Sequence, residues 1–415
     1  MNRIFLIICL LITTSIANAD FLPDQEWVRV RLDHALTMVE IHGRGLQVQG
    51  QAKILQTVSL PRAVEDQLTI THVFKNGQWL WKVVIVRPGA RNEVDTRLIG
   101  EPYLTVSGLE IYRGSQLLPN HLLFSGKKTF SLIAGERLRD YLYGVVAKEM
   151  PINWPLEALK AQAIAARSYA KAVMREHARR AFQLEATIMD QVFEKFGENN
   201  FADPKMKKVI QAVSETGGMV LLNKRQRVLK AYYHADCGGK TSSSESVFGT
   251  KGLVGGAIDA SCPSNPKARW SFHITKEELS QRLKRFFHAS DEFLGVSSLT
   301  LKQFPQDERI DEVVIKIDDG ESHRLKAQEF RELLGNMDLR STRFHLQQTK
   351  SEYVFSGTGF GHGVGLCQWG SKSLAQQGAK YPQILSHYYP EAELKASENF
   401  YSKKADSDQN ENMFD

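Results

Sequence analysis

The chain has 415 residues, of which 42% are hydrophobic and 24% charged, and its formal net charge is +6. This is globular composition with room for two or three domains, which excludes a disordered or low-complexity chain. The small excess of Lys and Arg suits a polyanionic partner such as a cell wall, but it reads first as a solvated surface and does not mark a nucleic-acid binder.

The chain opens with Arg3, an apolar run from Ile4 to Ile12, and Ala17-Asn18-Ala19 before Asp20. This pattern predicts a secretory signal peptide over residues 1–19 and export to a periplasm or out of the cell. The run is short for a membrane span, and no later stretch approaches the length of one, so no integral span is expected after cleavage.

From Trp27 to about Ser131 the runs VRVRL, LTITHVF, WLWKVVIV, LTVSGLEIY and HLLFS predict short strands, with Arg87–Arg97 as a polar loop. Leu138 to Ala172 then predicts two helices meeting at a turn from Met150 to Trp154. Leu138, Leu142, Val145 and Val146 make one apolar face, which places Glu149 at the C-terminal end of the first helix. Pro151 pushes Met150 out of the α region, and Pro155 suits the first turn of the second helix. That helix carries a stripe of Leu156, Leu159, Ala163, Ala166, Ala170 and Val173. The negative helix end, with Met150 and Trp154 to exclude water, disfavours ionisation of Glu149. A raised pKa is what a general acid needs near neutral pH.

A further helix is predicted over Pro204–Ser214, then strands around GMVLL and VLKAYYHA, then a loop from His234 to Gly249 too rich in Gly and Ser to be an element interior. Trp270–Phe344 reads as an α+β wing with helices at KEELSQRLKRFF and AQEFRELLG. Between Gly357 and Gly365 five glycines surround His362, and a helix begins at Gln368 and Trp369. This glycine loop has neither the P-loop Lys-Ser/Thr nor a GxGxxG in a βαβ unit, which argues against a nucleotide site. From Ser397 the polar tail is expected to be disordered.

Once the leader is removed, the cysteines are Cys237, Cys262 and Cys367. Two readings stand. A Cys237–Cys262 disulfide would staple the glycine-rich loop and contribute ~2–4 kcal/mol. Alternatively His234, Cys237, Cys262 and Cys367 make a Cys₃His zinc set. Cys367 with His362 lacks a third, orienting group for nucleophilic catalysis, and a thiol is a poor default nucleophile in an oxidising compartment.

Three blocks, Tyr141–Ala170, Tyr232–Gly249 and Gly357–Pro390, together resemble the SpoIID/LytB family of bacterial cell-wall proteins and occur in that family's order. The resemblance implies a peptidoglycan lytic transglycosylase whose essential acid is Glu149 and which requires no cofactor. It implies glycan strands as partner, with Gln162, Arg167, Ser168, Tyr169, His362 and Gln368 as substrate contacts. Some relatives are amidase enhancers, so a non-catalytic wall-binding protein that engages a cell-wall amidase is the competing class. The expected fold is α+β: a β-rich region over 20–131, a mixed helix/strand core over 132–266 and 351–394, an inserted α+β wing over 267–350, and a tail over 395–415.

Overall fold

The computed structural model describes residues 24–50, 58–59, 65–87, 93–100, 102–197, 203–259, 265–288, 295–318 and 320–396. The expected leader, Cys262 and the residues beyond 396 lie outside them. The fold is α+β.

The N-terminal part is two sheets face to face. One has seven strands, in the order Leu184–Glu185, Trp27–Leu36, Phe130–Arg137, His121–Gly126, Tyr103–Ser107, Gln47–Gly50 and Val58–Ser59. The other has six, in the order Gln116–Leu118, Glu110–Arg113, Met38–Arg44, Glu65–Lys75, Gln78–Arg87 and Glu93–Ile99. Alternation drives the packing. Val39, Ile41, Leu68, Ile70, Trp81 and Val83 from one sheet meet Val48, Leu104, Val106, Leu122 and Phe124 from the other in one apolar cluster. Asn76 and Gly77 have φ of 52° and 79°, the left-handed pair that a tight hairpin between Glu65–Lys75 and Gln78–Arg87 demands.

Arg87–Arg97, expected as a loop, instead contributes a strand. Glu93–Ile99 pairs with Gln78–Arg87 in the register Val94↔Val86 and Thr96↔Val84. Its charged residues hide the alternation, and the strand lies at the sheet's edge, where charge is tolerated and discourages further pairing.

Phe130–Arg137 runs without a break into helix α1 (Leu138–Glu149), and α2 (Leu156–Glu176) follows the expected turn. Met150, the residue before Pro151, is extended at φ −125°, ψ 143°, and Pro155 caps α2. Leu138, Leu142, Val145 and Val146 are all fully buried, as are Leu159, Ala163, Ala166, Ala170 and Val173. They pack in a second cluster with α3 (Pro204–Glu215), which Asp203 caps through the Lys205 N–H.

A short helix, α4 (Ser244–Phe248), lies in the first glycine-rich segment. The wing has its own cluster, where α5 (Lys276–Phe286) and α6 (Ala327–Leu334) meet two three-stranded antiparallel sheets. Helices α7 (Gln368–Gln376) and α8 (Tyr381–Tyr388) return to the α1–α2 cluster. The last strand, Glu393–Ala396, pairs with Met219–Leu222, so ordered structure reaches two residues into the stretch expected to be tail. Among the described residues no helix is long and apolar enough to cross a membrane.

Candidate functional site around Glu149

Glu149 is the last residue of α1 and is partly buried. Its Oε1 accepts the Val192 N–H at 2.9 Å. Burial raises its pKa above the ordinary carboxyl value. The Val192 N–H, Gln368 and Tyr233 favour the charged form and offset the rise only in part. No cation is among these influences. Lys148, next in sequence, instead pairs with Glu194 at 2.6 Å.

Tyr233 and Gln368 come from distant parts of the chain. Tyr233–His234 pairs in parallel with Leu366–Cys367, with Tyr233 opposite Leu366 and His234 opposite Cys367, and Gln368 then opens α7. This two-residue bridge joins the two glycine-rich blocks beside Glu149. Gly365, at φ 72°, sits so close to the Tyr232 carbonyl that a Cβ would collide with it. Gly363, at φ 80°, likewise lies against the guanidinium of Arg309 from the wing. Arg309 is fully buried and donates to the Cys237 carbonyl at 2.8 Å, which ties the wing to the site.

Behind the acid runs a chain of neutral groups. The Tyr141 hydroxyl donates to Gln191 Oε1 at 3.1 Å, and Gln191 Nε2 donates to the Tyr233 hydroxyl at 3.0 Å and to the Ala166 carbonyl at 3.2 Å. These hydrogen bonds hold Tyr233 in place facing Glu149. Gln368 is close enough to favour the carboxylate, yet its buried Nε2 makes no hydrogen bond of ordinary length among the described residues.

His362 belongs to an adjoining aromatic group. Its ring lies 5.5 Å from His234, 5.2 Å from Phe248 and 5.9 Å from Tyr232, and Tyr232 in turn lies 5.6 Å from Tyr169. His362 Nδ1 accepts the Val364 N–H at 3.0 Å. Burial first, then His234, Arg309 and Arg331, hold its pKa well below the usual value, so it is neutral at neutral pH. The Tyr169 hydroxyl donates to Asp190 at 2.7 Å, and Asp190 also accepts the Glu185 N–H, which braces the loop leading to Val192.

Not every residue expected to touch substrate is at this place. Arg167 is fully buried, donating to Asp24 at 2.7 Å and to the Val213 carbonyl at 3.1 Å. Ser168 is fully buried between the Ile164 carbonyl and the Leu221 N–H. Both lie on a side of α2 that is enclosed, with polar atoms taken up by the protein itself. Gln162 is also fully buried, and its carboxamide makes no hydrogen bond among the described residues. Tyr233, Gln191 and Val192 were not anticipated. Tyr233 alone had a signal, its place in the YYHADC block.

Of the residues considered for zinc, His234, Cys237 and Cys367 are buried with their ligand atoms within 4.8 Å of one another. The trio fits a structural zinc ligand set with a fourth position to be supplied. Cys262, the remaining candidate and the expected disulfide partner of Cys237, lies outside the described residues.

The chain is similar to several known proteins. The stage II sporulation protein (SpoIID) family model matches residues 127–222, and a domain of unknown function, DUF8618, matches residues 255–365. An uncharacterised protein of Brachyspira hyodysenteriae is 31% identical over 288 residues, covering 69% of this chain and 72% of that protein. Stage II sporulation protein D of Bacillus subtilis is 27% identical over 276 residues, covering 64% of this chain and 76% of that protein. The amidase enhancer of Bacillus subtilis is 26% identical over 294 residues, which are 60% of this chain and 39% of that protein. These matches give the chain a role related to the cell wall. Within that class, the chain belongs to the SpoIID/LytB family.

Proposed function

We propose that this protein is an exported peptidoglycan lytic transglycosylase that cleaves the MurNAc–GlcNAc backbone with Glu149 as its single acid and base. The observation that carries the reading is a carboxyl group whose pKa burial raises and no neighbouring cation lowers, set among the neutral donors Val192, Tyr233 and Gln368.

Protonated Glu149 gives its proton to the glycosidic oxygen as the C1–O bond breaks and oxocarbenium character develops at C1. The carboxylate then takes the proton from the sugar's own 6-hydroxyl as O6 closes on C1. A 1,6-anhydroMurNAc end forms, Glu149 is again protonated, and no water is consumed. The neutral surroundings suit both half-steps, since a nearby cation would hold Glu149 ionised and a nearby anion would hold it protonated. The nucleophile comes from the substrate, so no second carboxylate and no cofactor is needed.

The test is mass spectrometry of products from purified glycan strands, with and without stem peptides. Anhydro-ended products are expected from the native protein and not from Glu149→Gln. Absence of such products from every preparation, together with stimulation of a cell-wall amidase, would replace the enzyme with the wall-binding enhancer.

A further inference from the structure

Gln368 opens α7 facing Glu149, and Lys372 stands one helical turn further along the same edge of that helix. Its ammonium is 4.3 Å from the centroid of the Trp369 ring and 5.2 Å from that of Trp154. The two indoles meet edge to face at 5.1 Å. Each is anchored by its own backbone: the Trp154 N–H donates to the Pro151 carbonyl at 2.9 Å, and the Trp369 N–H to the Ala235 carbonyl at 3.1 Å. One indole therefore comes from the turn that follows Glu149 and the other from the block that supplies Gln368.

Other lysines near this turn are taken up by the protein, Lys208 by donating to the Trp154 carbonyl at 2.8 Å. Lys148 pairs with Glu194, and Lys160 with Glu157 and Glu215. Lys372 is partly buried and forms no ion pair among the described residues. Its charge is not directed at the acid either, since it is absent from the influences on Glu149. Indole faces fix the position of a cation without cancelling its charge, and an ammonium keeps three donors for an incoming acceptor.

We infer that Lys372, held between Trp154 and Trp369, is a subsite for a carboxylate carried on the sugar strand, one helical turn along α7 from the residue that faces Glu149. The identity of the ligand rests on the peptidoglycan reading above. A MurNAc–GlcNAc strand offers this chemistry from two sources: the lactyl group of muramic acid where no peptide is attached, and the carboxylates of a stem peptide where one is. A neutral N-acetylglucosamine polymer offers neither. The subsite thereby separates acidic wall glycan from chitin-like glycan at the level of binding.

The test measures affinity in the full chain carrying Glu149→Gln, so that no strand is consumed, with and without Lys372→Met or Lys372→Arg. The probes are strands with free lactyl carboxylates, the same strands bearing stem peptides, and a chitooligosaccharide of equal length. Lys372→Met, which keeps the apolar stem over the indoles, is expected to weaken binding about tenfold or more to at least one carboxylate-bearing strand. It should leave the chitooligosaccharide unaffected, and Lys372→Arg should retain most of the affinity. Loss confined to free lactyl strands assigns the lactyl group, and loss confined to peptide-bearing strands assigns the stem. Equal weakening on the neutral polymer, or no weakening on any probe, overturns the subsite, even if the native protein cleaves glycan. Charge-dependent binding through Lys372 without any cleavage would overturn the transglycosylase and leave the subsite standing.

Discussion

Two ionisable groups, one fully and one partly buried, lie on the same helix pair, and they differ in what faces them. Arg167, midway along α2, meets Asp24 in a pair that is almost wholly enclosed, and its remaining donors reach the Val213 and Met219 carbonyls. Glu149, at the end of α1, meets a backbone N–H, a phenol and a carboxamide, all neutral. In the first place opposite charges offset each other's loss of water, and the result is a clamp between the start of the described chain and the helical core. In the second, burial acts on the carboxyl group alone, and its proton is held more tightly. Matched charge here holds the chain together, and the unmatched group is the one to which the proposed function gives the chemistry.

The contrast is broken most directly at the acid. Glu149→Gln should lower the yield of anhydro-ended products by ~10²–10⁴-fold while keeping the fold, measured by product mass spectrometry beside a thermal melt. Breaking the clamp should act on stability instead. Arg167→Met leaves Asp24 buried without its partner and should cost ~3–5 kcal/mol in urea unfolding, with part recovered when Asp24→Leu is added.

The two places should also differ in their response to pH. Burial raises the Glu149 pKa in the folded state, so the folded protein gains from this group's protonation. That gain is complete below the ordinary carboxyl value and is lost as pH rises through the raised value. Glu149→Gln should therefore be more stable than the native protein at neutral pH, and the difference should vanish in acid. Denaturant midpoints across pH 3–8 check this, and a constant difference would contradict it. The smallest effect is expected at the brace. Tyr169→Phe removes the hydroxyl that holds Asp190 and should cost ~1 kcal/mol, while slowing product formation modestly as the Val192 loop loosens.

Local pattern made the helix pair legible. The spacing of Leu138, Leu142, Val145 and Val146, with Pro151 and Pro155 behind them, places Glu149 at a helix end, and the structure has it there. The surroundings of the acid were less legible, because Val192 reaches it from a loop 43 residues away and carries no side-chain signature. Arg167 and Ser168 are expected as substrate contacts only through the resemblance, and nothing in the local pattern signals that they are enclosed. Their enclosure depends on Asp24, 143 residues earlier, and on Leu221, 53 residues later. Charge concealed the edge strand Glu93–Ile99 in the same way, since Val94, Thr96 and Leu98 alternate with Glu93, Asp95 and Arg97.

The bridge between Tyr233–His234 and Leu366–Cys367 joins residues about 130 positions apart, with the entire wing between them. Contacts of such long sequence separation are slow to form, since a large loop must close before they are gained. Any growing chain that stops short of Gln368 lacks one of the neutral groups that face Glu149. On the proposed function, competence is thus an event at the end of synthesis: the chain stays inert until nearly all of it has been made.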